Sequence, residues 1–157
     1  TTDVEQGNRL LGQVGLAIVQ NELERADALL KRIARIGIEH PLHLANFHRR
    51  RADVAFRTGD CINTMKEAQQ AMEWYERAGK RVAVAHCLRL MGDAQALQDD
   101  VGAALKLYRR AAHAHIRTGD WVGMHRTISH AKALCDAESA ARLGRLSTEL
   151  MMFRGAQ

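Results

Sequence analysis

One proline, three cysteines and aromatic residues at only 4% of the chain set the first limits on this 157-residue sequence. With so few aromatics, and no stretch in which apolar and polar residues alternate, the sequence does not read as a β-rich fold. The lone Pro41 leaves long stretches open to helix. Cys61, Cys87 and Cys135 are odd in number and form no C-x-x-C pair, so they read as small core thiols of a reducing compartment, not as a disulfide framework. No apolar run approaches ~18 residues, and no basic stretch followed by an apolar one opens the chain. Neither a membrane span nor a secretory leader is expected, and the expected location is the cytoplasm. Missing too are a phosphate-cradling glycine loop, H-E-x-x-H, a nucleophile elbow and a catalytic carboxylate pair. The sequence therefore does not read as an enzyme, and no cofactor is expected. Ser129 and Ser139 have histidines nearby in sequence, but neighbours along a helix do not make a triad.

What the chain does have is regular punctuation. Breaks fall near Asn21, at Gly37 to Pro41, and at Gly59-Asp60, Gly79-Lys80, Asp99-Asp100, Gly119-Asp120 and Cys135-Asp136. Two of them are the same tetrapeptide, Arg57-Thr58-Gly59-Asp60 and Arg117-Thr118-Gly119-Asp120. A basic last turn, a glycine able to take positive φ and an Asp able to cap the next helix form a helix stop followed by a helix start. Between the breaks lie segments rich in Ala, Leu, Arg, Glu and Gln, all good helix formers. The spacing predicts an all-α chain with helices near 3–20, 22–37, 41–58, 60–78, 80–98, 100–118, 120–134 and 137–153. These eight helices would pair into hairpins and stack as a solenoid over a single domain, residues 1–157. The chain begins Thr1-Thr2-Asp3 without an initiator Met and reads as a piece of a larger protein. Its net charge of +5 is only mildly basic and steers weakly toward acidic partners or nucleic acid.

Sliding the sequence by forty residues exposes a repeat. Ala45, Arg49, Asp53, Asp60, Lys66, Ala71, Arg77 and Gly79 fall on Ala85, Arg89, Asp93, Asp100, Lys106, Ala111, Arg117 and Gly119 without a gap. Within the second unit, Leu88, Met91, Gly92, Gln95, Ala104, Tyr108 and Ala111 stand at the spacing L-x2-L-G-x2-Y…A-x3-F-x2-A, with Gln95 in the place of the Tyr. This resembles the tetratricopeptide repeat, in the variety of about forty residues found in kinesin light chain, spindle-orientation adaptors and the sensor regions of bacterial signalling ATPases and transcription activators. The preceding unit fits less well, and the unit from Trp121 onward fits poorly. The resemblance implies a right-handed superhelix of about four hairpins. It also implies a groove, lined by the first helix of each hairpin, that receives a peptide or a partner helix. In that family the Gly and Ala places let helices close up. Gly92→Leu and Ala104→Leu are accordingly expected to overpack the joint, and Gly92→Ala to be mild.

On that alignment Asn46, Arg49, Arg50, Asp53 and Phe56 turn toward the groove in one unit, and His86, Arg89, Asp93 and Ala96 in the next, with Arg126 from the hairpin after. Arg49 with Asp53, and Arg89 with Asp93, stand at i,i+4. They form either a ladder of guanidinium groups able to fork onto a partner's carboxylates or ordinary intrahelical ion pairs of ~0.3–0.5 kcal/mol. The run Arg49-Arg50-Arg51 spreads over ~300° of a helix and cannot face one phosphate groove. No aromatics interleave it to stack bases.

The eight histidines do not suggest a metal site. His113 and His115 diverge, as do His125 and His130, and His40 and His43 meet at i,i+3 without a third ligand. Trp74 reads as the filling of a hairpin joint and Trp121 as an exposed residue at a helix start. The stretch Leu150-Met151-Met152-Phe153 reads as a last core turn or an uncovered end fit for self-association. The expected function is a non-catalytic peptide- or protein-binding module of a bacterial regulator of signalling or transcription. A nucleic-acid-binding repeat and a structural oligomerisation module stand as alternatives.

Overall fold

The structure, a computed structural model, describes residues 3–155. In the last helix it describes no side chain at 143, 146, 147, 150, 151 or 153–155. The described chain is all helix, in seven elements: α1 (Asp3–Val19), α2 (Leu23–Ile36), α3 (Pro41–Arg57), α4 (Cys61–Arg77), α5 (Arg81–Leu97), α6 (Val101–Thr118) and α7 (Trp121–Gly155). Each packs on the next along the chain. The odd-numbered helices also touch in series, α1 on α3, α3 on α5 and α5 on α7. No two even-numbered helices bring their backbones as close among the described residues.

One turn design joins most of these helices. Asn21, Gly59, Gly79, Asp99 and Gly119 all take φ between 59° and 78°. In each case the next residue's N–H reaches the carbonyl five residues back: Glu22 to Ala17, Asp60 to Ala55, Lys80 to Tyr75, Asp100 to Gln95 and Asp120 to His115, at 2.8–3.1 Å. That bond satisfies a carbonyl that the ending helix would leave orphaned. Asp60, Asp100 and Asp120 then cap the following helix through Oδ1, accepting from the N–H of Asn63, Ala103 and Gly123 at 2.9–3.0 Å. His40 caps α3 through Nδ1, ahead of Pro41 in the first turn.

The expected break at Cys135-Asp136 does not form, and the last two expected helices are a single α7 of 35 residues. No residue there takes positive φ. The sequence Ala131-Lys132-Ala133-Leu134-Cys135-Asp136-Ala137-Glu138 has no helix breaker, so the helix propagates. Most described side chains beyond His130 are exposed, Cys135 among them, so this thiol is not a core residue as Cys61 and Cys87 are. Met152 is exposed, and Leu150, Met151 and Phe153 lie outside the described side chains.

Alanines at places of full burial let the helices close up: Ala45, Ala52, Ala68, Ala71, Ala85, Ala94, Ala104 and Ala111. Larger side chains fill what remains, in one cluster of α1, α2 and Phe47 and in others centred on Met72, Tyr75, Leu88, Leu90 and Met91. Trp74 is half-buried against this core with the Arg77 guanidinium over its ring, and Trp121 is exposed. Phe56 turns inward onto the core cluster of Ala52 and Leu90.

A tight joint lies at Gly92, where the buried Tyr108 ring lies against the α5 backbone. A Cβ added at Gly92 would stand 2.7 Å from Tyr108 Cε1. The ring cannot easily retreat, because its hydroxyl donates to Asp93 at 2.6 Å. The expectation that Gly92→Ala is mild therefore fails: helix propensity favours Ala by only ~1 kcal/mol, against a clash with a buried, anchored ring. Thermal or urea unfolding should find Gly92→Ala destabilised by about 1–3 kcal/mol, and Gly92→Leu by more. A parent-like Gly92→Ala would contradict this packing.

Candidate functional site

The arginine run of α3 sends its three charges in three directions. Arg50 lies over Gly15 of α1 and pairs with Asp53 at 3.7 Å. Arg51 reaches α4, where its guanidinium meets the buried Glu67 at 3.2 Å, beside His48 at 2.7 Å. Arg49 faces α5. No single surface collects all three.

The Arg49–Asp53 and Arg89–Asp93 ion pairs expected at i,i+4 are not made as direct contacts. Asp53 takes Arg50 instead. Asp93 accepts from Tyr108 at 2.6 Å and lies 2.7 Å from His130 Nδ1, side chains supplied by α6 and α7. Arg49 bears on the Tyr75 hydroxyl, but neither arginine has a carboxylate in ion-pair contact among the described residues. Arg49 Nε and Arg89 Nη1 are buried with no hydrogen bond in the protein. An unpartnered buried N–H costs free energy on the order of 1–3 kcal/mol, more on a charged group. The two lie one repeat apart, on helices that touch, and their fields fall on the same groups. Burial pushes the Asp53 carboxyl up, against Arg49, Arg50, Arg57 and Arg89, which hold it down. Burial likewise lowers Arg89, with Asp93 opposing and Arg126 and Arg49 adding to the effect. Arg126 itself is exposed on α7.

Between α3 and α5 opens a cleft of about 580 Å³. Its walls are matching faces of two successive units, Leu42, Asn46 and Arg49 opposite Val82, Ala83 and His86, floored by Tyr75. Tyr75 donates to Asn46 Oδ1 at 2.6 Å. Lys80 and Arg81 stand at the mouth, and no carboxylate lines the cleft. Of the residues expected in a groove, Asn46, Arg49 and His86 thus meet in one cleft, and Arg89 adjoins it. Arg50, Asp53 and Asp93 are engaged elsewhere.

Behind His86 lies a set of groups that spacing alone did not flag. His115 of α6 is fully buried, its ring centroid 5.0 Å from that of His86. Its Nδ1 is 2.9 Å from Asp120 Oδ2, while His86 Nε2 stands 3.9 Å from the same oxygen. A Cβ at Gly123 would collide with both His115 and Asp120. Tyr75 and His115 are forty residues apart, as are Asn46 and His86, so the hairpin joint filled by Tyr on Asn in one unit is filled by His on His in the next. That register was the signal for these residues.

His40 and His43 do meet, at 4.7 Å between ring centroids. Among the described residues no three His, Cys, Asp or Glu side chains group as a metal site, and no helix is long and apolar enough to cross a membrane. Burial pushes the Cys87 thiol up to about 12, which keeps it a packing group. No protein-family model matches the chain, and a search of curated proteins finds no match.

His86 is held down to about 4 by burial first, then by the charges of Arg49 and Arg89. Its ordinary value is 6.5, so the unfolded chain takes up a proton between pH 6.5 and pH 4 that the native ring refuses. Stability should therefore fall as the pH drops through that window, by about 3 kcal/mol for this one group. His43 and His115, also lowered, act in the same sense, while Asp53, raised, offsets part of the loss. Urea unfolding of His86→Gln should show a flatter stability profile between pH 4 and pH 6.5 than the parent. Parallel profiles would show that the ring takes up its proton as readily folded as unfolded.

Proposed function

We propose that this chain is a non-catalytic protein- or peptide-binding module of the tetratricopeptide kind, built as a right-handed solenoid whose odd-numbered helices line the groove. Its partner presents an acidic, extended segment to α3, α5 and α7, and the module serves as the sensory or interaction part of a bacterial regulator. The observation that carries this reading is the pair of unfilled guanidinium donors, Arg49 Nε and Arg89 Nη1, on adjoining helices beside a cleft without carboxylates. Carboxylates of a partner would give those donors what the protein withholds. Arg126, on the next odd-numbered helix, extends the same positive strip. The divergence of Arg49, Arg50 and Arg51 supports this reading over a phosphate-tracking surface.

Replacing Arg49 and Arg89 together by Ala should weaken binding of an Asp- and Glu-rich peptide by about 2–4 kcal/mol. The helical circular dichroism should stay intact. Salt provides the second check: a nucleic-acid surface would lose affinity with a log–log slope near −0.9 per phosphate contact, and a peptide groove would respond far less. Peptide affinity unchanged in the double variant would reduce these arginines to structural residues.

A further inference from the structure

The cleft between α3 and α5 asks for more than a planar carboxylate. Its donors come from separate elements: Arg49 from α3, Lys80 and Arg81 from the turn and the first residue of α5, and His86 from within α5. The amide of Asn46, whose oxygen is taken by Tyr75, adds an N–H from the α3 side. A carboxylate is served by one fork of one arginine. A phosphoryl group offers three strong acceptor oxygens in different directions and up to two negative charges, which suits donors converging from several sides. We propose that this cleft holds a phosphoryl group carried by a side chain of the bound segment, with Arg49 and His86 as its inner contacts and Lys80 and Arg81 at the mouth. This rests on the peptide-binding reading and specifies its ligand.

The histidine makes the binding proton-coupled. His86 Nε2 lies 3.9 Å from Asp120 Oδ2, too far for a hydrogen bond but close enough for that carboxylate to favour the proton on Nε2, and in that tautomer Nδ1 is bare. Nδ1 is also the buried ring atom without a partner. For an oxyanion to sit against it, Nδ1 must gain a proton. The groups that bear on the ring are Arg49 from α3, Arg89 on its own helix, His115 from α6 and Asp120 at the start of α7. The arginines oppose protonation while the cleft is empty. A dianion between them and the ring reverses that balance. Binding therefore takes up a proton and strengthens as the pH falls from 7 toward 6, as long as the ligand keeps its second charge.

The test is calorimetry of the full chain with three versions of one Asp- and Glu-rich peptide, carrying Ser, phosphoserine or Glu at the centre, and with inorganic phosphate alone. Phosphoserine should bind at least about tenfold tighter than Ser and tighter than Glu. In buffers of different ionisation enthalpy, it should show net proton uptake. His86→Gln should abolish the proton uptake, and Arg49→Gln should remove the preference for phosphoserine. Arg81→Gln, an exposed change that leaves the core alone, should weaken phosphoserine binding more than Ser binding. Equal affinity for all three peptides, a preference that survives both arginine changes, or phosphoserine binding without proton uptake would overturn the proposal. In the first of these cases an affinity lost on replacing Arg49 and Arg89 would leave the peptide reading standing. Binding of inorganic phosphate with Arg49-dependent proton uptake, but of no peptide, would sustain the phosphoryl pocket and sink the peptide reading.

Discussion

Five times among the described residues a residue with positive φ lets the next N–H reach back five residues, and the rest of the structure depends on that bond. At Gly59, Gly79, Asp99 and Gly119 the clasp recurs at intervals of twenty residues. Equal intervals make α3 and α5 equal in length at 17 residues each, and they bring forty-residue equivalents to the same height on neighbouring helices. Asn46 then stands opposite His86, and Arg49 close to Arg89. Glycine gives the conformation at little steric cost. Asp99 and Asn21 show that a short polar side chain can also hold it.

From that stacking follows the electrical character of the cleft. Two arginines come close enough to perturb the same histidine, and the acids four residues on are engaged elsewhere, Asp53 by Arg50 and Asp93 by Tyr108 and His130, while Asp120 beside His86 is held by His115. Leaving guanidinium N–H groups buried and unfilled works against folding. Natural proteins hold such destabilised arrangements where a site needs them. The cost falls beside a cleft whose lining includes Lys80 and Arg81 and no acid.

Most of the fold was legible because its signals are local. Glycine or asparagine at a stop, Asp at a start and the forty-residue match fixed α3 to α6 to within a residue or two at each end. The expected break at Cys135-Asp136 does not form. Without a left-handed residue before it, the chain simply continues as helix. The site was legible only in part. The forty-residue match and the resemblance to the tetratricopeptide repeat name Asn46, Arg49, His86 and Arg89 together. Neither says which partner a carboxylate will choose when other helices offer Tyr108 or His130, so i,i+4 ion pairs stand as one of two readings where the structure makes none. Nor could local spacing value Gly92 correctly, since the atom that forbids a methyl there belongs to Tyr108, sixteen residues away.

The central claim is that side chains of successive units act on one another across α3 and α5, and His86 reports on it directly. Its titration can be followed by NMR of the ring nitrogens in the parent and in Arg49→Gln. The account predicts a pKa near 4 in the parent, moving part of the way toward 6.5 when the Arg49 charge is removed from the neighbouring helix. A parent value near 6.5, or a depressed value indifferent to Arg49, would contradict the stacking on which the cleft is built.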